Sequence, residues 1–356
     1  MVMDSPVRRI LCDSPEQKMW NLFLLLENES TLRTFLESKY RKQGMEHPSR
    51  AAFRAAQPLM YHVKQAREYY RAARESDLFV RPLLAYYGMI TLSKVLMLTM
   101  VPDYPENAAV LRHGISTRRR KRGDYQFFAD EVRVQREGLF PELARNRGWG
   151  VLVGESWTPR ELFSLIPELQ DGYRQLFSEE TLVPVAVPDV PAVPGQGMPL
   201  VLEERILDAL HLTPRGLVNR LNRFSPGGEV RFTCEELPVS VPGILLFWHH
   251  PRISHVNQWE RGFAHPLFRE DMHGNHWLLP FQRVETCIPE LLVHYALLFA
   301  LSMLCRYEPP LWGEMIHGMA SEEMVLIQEF LQVTQRKFPN LILNELFEEK
   351  ILFRRM

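Results

Sequence analysis

Residues 66–98 read AREYYRAARESDLFVRPLLAYYGMITLSKVLML. Ala66, Tyr69, Tyr70 and Ala73 recur at i, i+3, i+4 and i+7, the stripe of a helix that buries one face. Arg67, Arg71 and Arg74 fall on its other faces. The spacing predicts a helix over 58–76, with Pro58 tolerated in its first turn. Ser76 and Asp77 punctuate it, and Pro82 opens a second helix that runs to Met100. That helix is apolar nearly all round, so it belongs at the centre of a fold. Two long helices with one short connection form an antiparallel pair. The fold class is therefore mainly α, a helical bundle.

Working outward, residues 14–45 read as two more helices. Ser14, Pro15 and Gln17 make a start signal, and Gly44 ends the second. Residues 101–125 read as a loop, 131–136 as a short strand, and 158–177 as one helix begun by Thr158, Pro159 and Glu161. Residues 182–199 hold five prolines and two glycines. Such a segment forms neither helix nor central strand, and reads as a linker or strap. Gly227-Gly228 precedes EVRFTCEE, and GILLFWHH follows. These are two strands of a small β insertion around 226–285, in one sheet with 277–285. Helices return at 288–305, 321–337 and 341–353, with Pro339 as a stop. The expected organisation is a helical part at 1–181, a proline-rich strap at 182–199, a mixed α/β insertion at 200–287, and C-terminal helices at 288–356 that pack back on the first part.

The chain has 356 residues and a formal net charge of −1. Neither a disordered tail nor a generally basic nucleic-acid coat has this composition. Cys12, Cys234, Cys287 and Cys305 make no CxxC pair, which fits free thiols in a reducing compartment rather than a zinc site. No secretory leader pattern opens the sequence, and the apolar stretch 288–305 carries Glu290 and His294. A cytoplasmic location and no membrane partner are expected. There is no Walker loop, GxGxxG or GxSxG, which disfavours kinase, dehydrogenase and α/β-hydrolase chemistry.

The opening stretch, with RHGISTRRRKRGDYQFFADEVRVQREGLFPEL at 112–143 and LLFALSMLCRYEPPLWGEM at 297–315, resembles the bacterial YaaC-like family. The resemblance covers roughly 60–350 and supplies no reaction. The helix pair is also similar to the HEPN superfamily, dimeric helical bundles that include metal-independent ribonucleases and nucleotide-binding modules. Active members pair Arg and His at Arg-x4–6-His, where His handles the 2′-hydroxyl proton and Arg steadies the phosphorane. Arg41/His47, Arg205/His211 and Arg269/His276 fit that spacing. Chance supplies about three such pairs in a chain of this composition. None follows the central helix pair, and His113 adjoins Arg112 directly.

Arginine outnumbers lysine 34 to 8. Arg112, His113, Arg118, Arg119, Arg120, Lys121 and Arg122 put seven basic residues into eleven. Clustered guanidinium forks bind phosphate, Gly114 permits close approach of a ligand, and Tyr125, Phe127 and Phe128 are placed to stack bases. The bland alternative is a solvated loop whose arginines meet nearby carboxylates. Arg306, Glu308 and His317 are secondary candidates for the same cleft; the structural alternative has Arg306 capping its helix and Trp312 as a lid over the bundle. His249, His250, His255, His265, His273 and His276 cluster in sequence without metal-ligand spacing, so no metal is expected and the histidines read as loop surface groups.

The favoured function is RNA or nucleotide binding through 112–122, with no cofactor. One alternative is a metal-independent ribonuclease using His113 and Arg112. The other is a homodimeric, non-catalytic scaffold.

Overall fold

The computed structural model describes residues 6–119, 125–188, 197–225, 230–235, 243–250, 265–280, 287–318 and 323–355. In chain order the elements are β1 (Val7–Cys12), α1 (Pro15–Leu24), α2 (Glu29–Lys42), α3 (Pro48–Glu75), α4 (Arg81–Met100), β2 (Ile115–Arg118), β3 (Glu131–Val134), α5 (Leu139–Asn146), β4 (Ser156–Trp157), α6 (Pro159–Phe163) and α7 (Gln170–Phe177). Then come β5 (Val183–Val185), β6 (Met198–Leu202), α8 (Arg205–Leu210), α9 (Pro214–Arg223), β7 (Arg231–Glu235), β8 (Ile244–His249), β9 (Phe268–Glu270), β10 (His276–Leu278), α10 (Glu290–Tyr307), α11 (Pro309–His317), α12 (Glu323–Phe347) and β11 (Lys350–Arg355). The fold is mainly α. The strands are spread along the chain in four small sheets, rather than confined to an insertion around 226–285.

Two compact units result, each from separate stretches of chain. The larger comprises 11–163 and 290–347. Its spine is α3 packed along α4. The stripe of α3 is built of Ala51, Ala52, Ala55, Ala56, Ala66 and Ala73, with Leu59, Val63 and Tyr70 between. Small residues let the two axes approach. Gly88 serves the same end, because a Cβ there would lie 2.7 Å from the Tyr70 ring. α3 starts at Pro48, so Pro58 lies inside it rather than in its first turn. Pro58 and Arg54 are both exposed, and water can take the carbonyl of residue 54 that proline leaves without an N–H. α4 has almost no polar face; α3, α10 and α12 cover it. α4 and α10 are both long and apolar enough to cross a membrane, but 72% and 83% of their apolar windows are buried within the fold. α12 runs through Pro339 to Phe347 and a strand follows, where two helices had been expected.

The region expected to be a loop, 101–125, instead contributes β2, which pairs antiparallel with β3; β4 completes that sheet. The helix expected over 158–177 breaks at Pro167 into α6, a short 3-10 turn and α7.

The smaller unit comprises 1–10, 164–289 and 348–354. β8 sits between β6 and β7 in an antiparallel sheet, with Leu200 opposite Leu246 and Phe232 opposite Trp248. Those four side chains are buried together with Ile206, Leu217 and Leu221 of α8 and α9. Burying each contributes about 1.5–3 kcal/mol. β10 does not join that sheet; it pairs with β5 and β9. The prolines behave as their missing N–H requires: Pro184 and Pro199 lie in β5 and β6, both edge strands. β1 pairs with β11 in a sheet of its own.

Candidate functional site

Two glycines set the backbone at His113. Gly114 (φ +79) and Gly138 (φ +122) lie against each other, so that a Cβ on either would collide with the opposite strand of chain. The close approach read from Gly114 is thus made by protein backbone, not by a ligand. Across the crossing, the N–H groups of Leu139 and Phe140 donate to the carbonyls of Arg112 and His113 at 2.8 and 3.2 Å. From α10, the Tyr295 hydroxyl donates to the His113 carbonyl at 3.0 Å.

The imidazole of His113 packs against the rings of Tyr86 and Phe299, and its Nδ1 is 2.5 Å from the Tyr86 hydroxyl. Burial, then the charges of Arg306 and Lys94, hold its pKa below the usual histidine value. The ring is therefore neutral at pH 7. With the Tyr86 O–H as donor to Nδ1 the ring proton sits on Nε2; the other tautomer reverses both roles. Among the described residues no side chain bonds Nε2.

The charges of two cations act on this ring. Arg306 closes α10, with Nη1 3.4 Å from the Tyr87 hydroxyl and its guanidinium 4.4 Å above the Tyr307 ring. Its Nε is buried with no hydrogen-bond partner. Lys94 projects from α4, and burial lowers its pKa. Among the described residues no carboxylate pairs with either. Like charges in a partly desolvated setting raise the local potential, and an anion relieves it.

Arg119 lies 4.8 Å over the Tyr125 ring and 3.8 Å from Glu308. Arg112 is 3.4 Å from Glu137, an exposed pair of small energetic weight. Arg118 ends β2 opposite Glu131. Arg120, Lys121 and Arg122 lie outside the described residues. Phe127 and Phe128 are core residues, which removes them as base-stacking groups and leaves Tyr125. Of the secondary candidates, Arg306 and Glu308 join His113 and Arg119. His317 does not: it ends α11, roughly 13 Å along the helix from Glu308 at 1.5 Å per residue, beside Phe79. Trp312 is fully buried and donates to the Phe79 carbonyl at 3.0 Å.

The histidines read as surface groups prove largely internal. His250, His265 and His276 are buried, and burial pushes the last two down to about 4. His249 bonds Thr233 across β7 and β8 at 2.9 Å. His255 lies outside the described residues. Among the described residues no three His, Cys, Asp or Glu groups converge as metal ligands.

A groove of about 570 Å³ between α1 and α3 is also rich in arginine. There Arg67, Arg71 and Arg74 pair with Glu27, Glu68 and Glu16. Its charges are already balanced, which sets the Lys94–Arg306 surface apart. Sequence reasoning missed Lys94, Tyr86, Tyr87 and Tyr295 as members of the site. The signal for Lys94 was available: it is the one charged residue beyond the first position of α4.

Comparisons with curated proteins and with solved structures found no match. A family model described as YaaC-like Protein matches residues 24–346, and the chain belongs to that family.

Proposed function

We propose that the larger unit binds the phosphate of a nucleotide or of single-stranded RNA beside His113. Lys94 and Arg306 are the inner cations, His113 Nε2–H is a neutral donor, and Arg112, Arg118 and Arg119 form the outer basic rim. Tyr125 offers an aromatic face for a base. The observation that carries this reading is the pair of partly buried cations without a carboxylate, one of them with an orphaned N–H. Kinship of the α3–α4 pair to HEPN helical domains is part of the same reading.

The test begins with the absorbance ratio at 260 and 280 nm of natively purified protein and mass spectrometry of the heat-released supernatant. Fluorescence anisotropy with a labelled single-stranded RNA oligomer and with a labelled adenine nucleotide follows. Arg306→Ala with Lys94→Met should weaken binding at least about tenfold and flatten its salt slope. A clean supernatant together with no salt-sensitive binding of either probe refutes the proposal.

A further inference from the structure

The smaller unit holds a second basic feature, which does not depend on the site at His113. Its chain order is strand, helix, three-residue turn, helix, hairpin: β6, α8, His211–Thr213, α9, then β7 and β8. The sheet order is β6-β8-β7, all antiparallel. That is the connectivity of a winged helix-turn-helix. The turn has the tight form such a motif needs. His211 adopts the left-handed conformation (φ 51), and Thr213 caps α9 by accepting from the Gly216 N–H at 3.1 Å. Ile206, Leu217 and Leu221 turn inward and hold the two helices to the sheet.

The opposite face of α9 is exposed and carries Arg215, Asn219 and Arg223, spaced i, i+4 and i+8. The helix sequence PRGLVNRLNR has three arginines and no carboxylate. Among the described residues no carboxylate pairs with Arg215 or Arg223, and Arg223 lies over the Phe224 ring at 5.5 Å. The acidic residues that precede it most closely in sequence, Glu204 and Asp208, belong to the preceding helix and its start. At 1.5 Å per residue, the three side chains span about 12 Å, three to four base steps at 3.4 Å each. Arginine forks fit guanine or phosphate, and asparagine fits adenine.

α9 is also held rigidly. The Asn222 amide pairs with the Phe232 backbone in both directions, donating to its carbonyl at 2.9 Å and accepting from its N–H at 2.6 Å. His265 Nε2 donates to the Leu221 carbonyl at 2.9 Å. A recognition element presented on clamped backbone loses little freedom when it docks.

We infer that Pro214–Arg223 is a recognition helix and that its partner is double-stranded DNA, entered through the major groove. The B-form groove admits an α-helix, whereas the A-form groove of duplex RNA is too deep and narrow.

The experiment uses the full chain and a fluorescein-labelled, random-sequence DNA duplex of about 24 base pairs at about 50 mM salt, read by anisotropy. Micromolar or tighter binding is expected. Arg215→Ala with Arg223→Ala should weaken it about tenfold or more and reduce the log–log salt slope by about 2. Arg71→Ala, in the charge-balanced groove between α1 and α3, should leave it unchanged. Arg215→Glu with Arg223→Glu should abolish it, and an unaltered circular dichroism spectrum excludes unfolding as the cause. Absence of binding by the unaltered protein overturns the inference. So does indifference to both double variants, or duplex RNA competing as well as DNA.

Discussion

Lys337 and Glu290 form an ion pair in the interior of the larger unit, with Nζ and Oε1 2.6 Å apart. Lys337 is 3% exposed and Glu290 8%. His294, wholly buried one turn along α10, bonds Thr334 of α12 through Nδ1 at 2.8 Å and has Nε2 3.9 Å from the same carboxylate. Replacing Lys337 by Met keeps most of the volume but strands the carboxylate away from water. At an effective dielectric of about 20, two charges at this distance attract by roughly 6 kcal/mol. Much of that is offset by desolvation already incurred in the native fold. The expected loss for Lys337→Met is about 3–5 kcal/mol. For a unit of this size each kcal/mol moves the midpoint by about 2–4 °C, so the fall should be roughly 6–20 °C. Lys337→Met with Glu290→Leu removes both charges and should recover most of it. Calorimetry on the unaltered protein and both variants at pH 7.5 measures this. If the single variant loses less than about 1 kcal/mol, or the double variant is no better than the single, the pair is not the coupled unit described.

Other outcomes follow from the same geometry. His265 and His276 are held neutral, with folded values of about 4 against 6.5 for the free side chain. Their contribution is complete above pH 6.5 and is lost as pH falls from there to about 4, on the order of 3 kcal/mol each; urea titrations of His265→Gln should show a shallower acid slope. Gly138→Ala forces a Cβ into the Gly114 backbone at a φ that disfavours side chains, and should cost at least about 2 kcal/mol by urea denaturation. His211→Gly relieves a left-handed side-chain conformation in the turn before α9 and should stabilise the smaller unit by up to about 1 kcal/mol, whereas His211→Val should destabilise it.

The central helices were legible because their signals are local. The alanine stripe of α3 and the uninterrupted apolar run of α4 and α10 specify burial without reference to anything distant. The boundaries that went astray did so where tertiary context overrides a local rule. Pro58 and Pro339 are tolerated within helices that packing holds together, so a proline read as a start or a stop was neither. β2 was read as loop because four residues ending in Thr and Arg carry no alternation, and only its pairing with β3 makes it a strand. At the site, clustered arginines were visible, but which were balanced was not. Glu137 and Glu308 meet Arg112 and Arg119 from 25 and 189 positions away. Lys94 and Arg306 are separated by more than two hundred residues, and only the packing of α10 on α4 brings them to the same imidazole. The histidines misled for a related reason: burial, not sequence proximity, decides whether a ring is a surface group.

The division of the larger unit into two distant stretches governs how the chain must be made. α4 is complete at Met100, and α10, which covers part of it, begins at Glu290. At about 5–20 residues per second a ribosome needs roughly 10–40 s to bridge that interval. Throughout it, the most apolar helix of the nascent chain has α3 on one side and no α10 or α12 on the others. Synthesis therefore holds open a sticky surface for longer than most folding steps take, and a holdase is expected to occupy α4 until its own partners emerge.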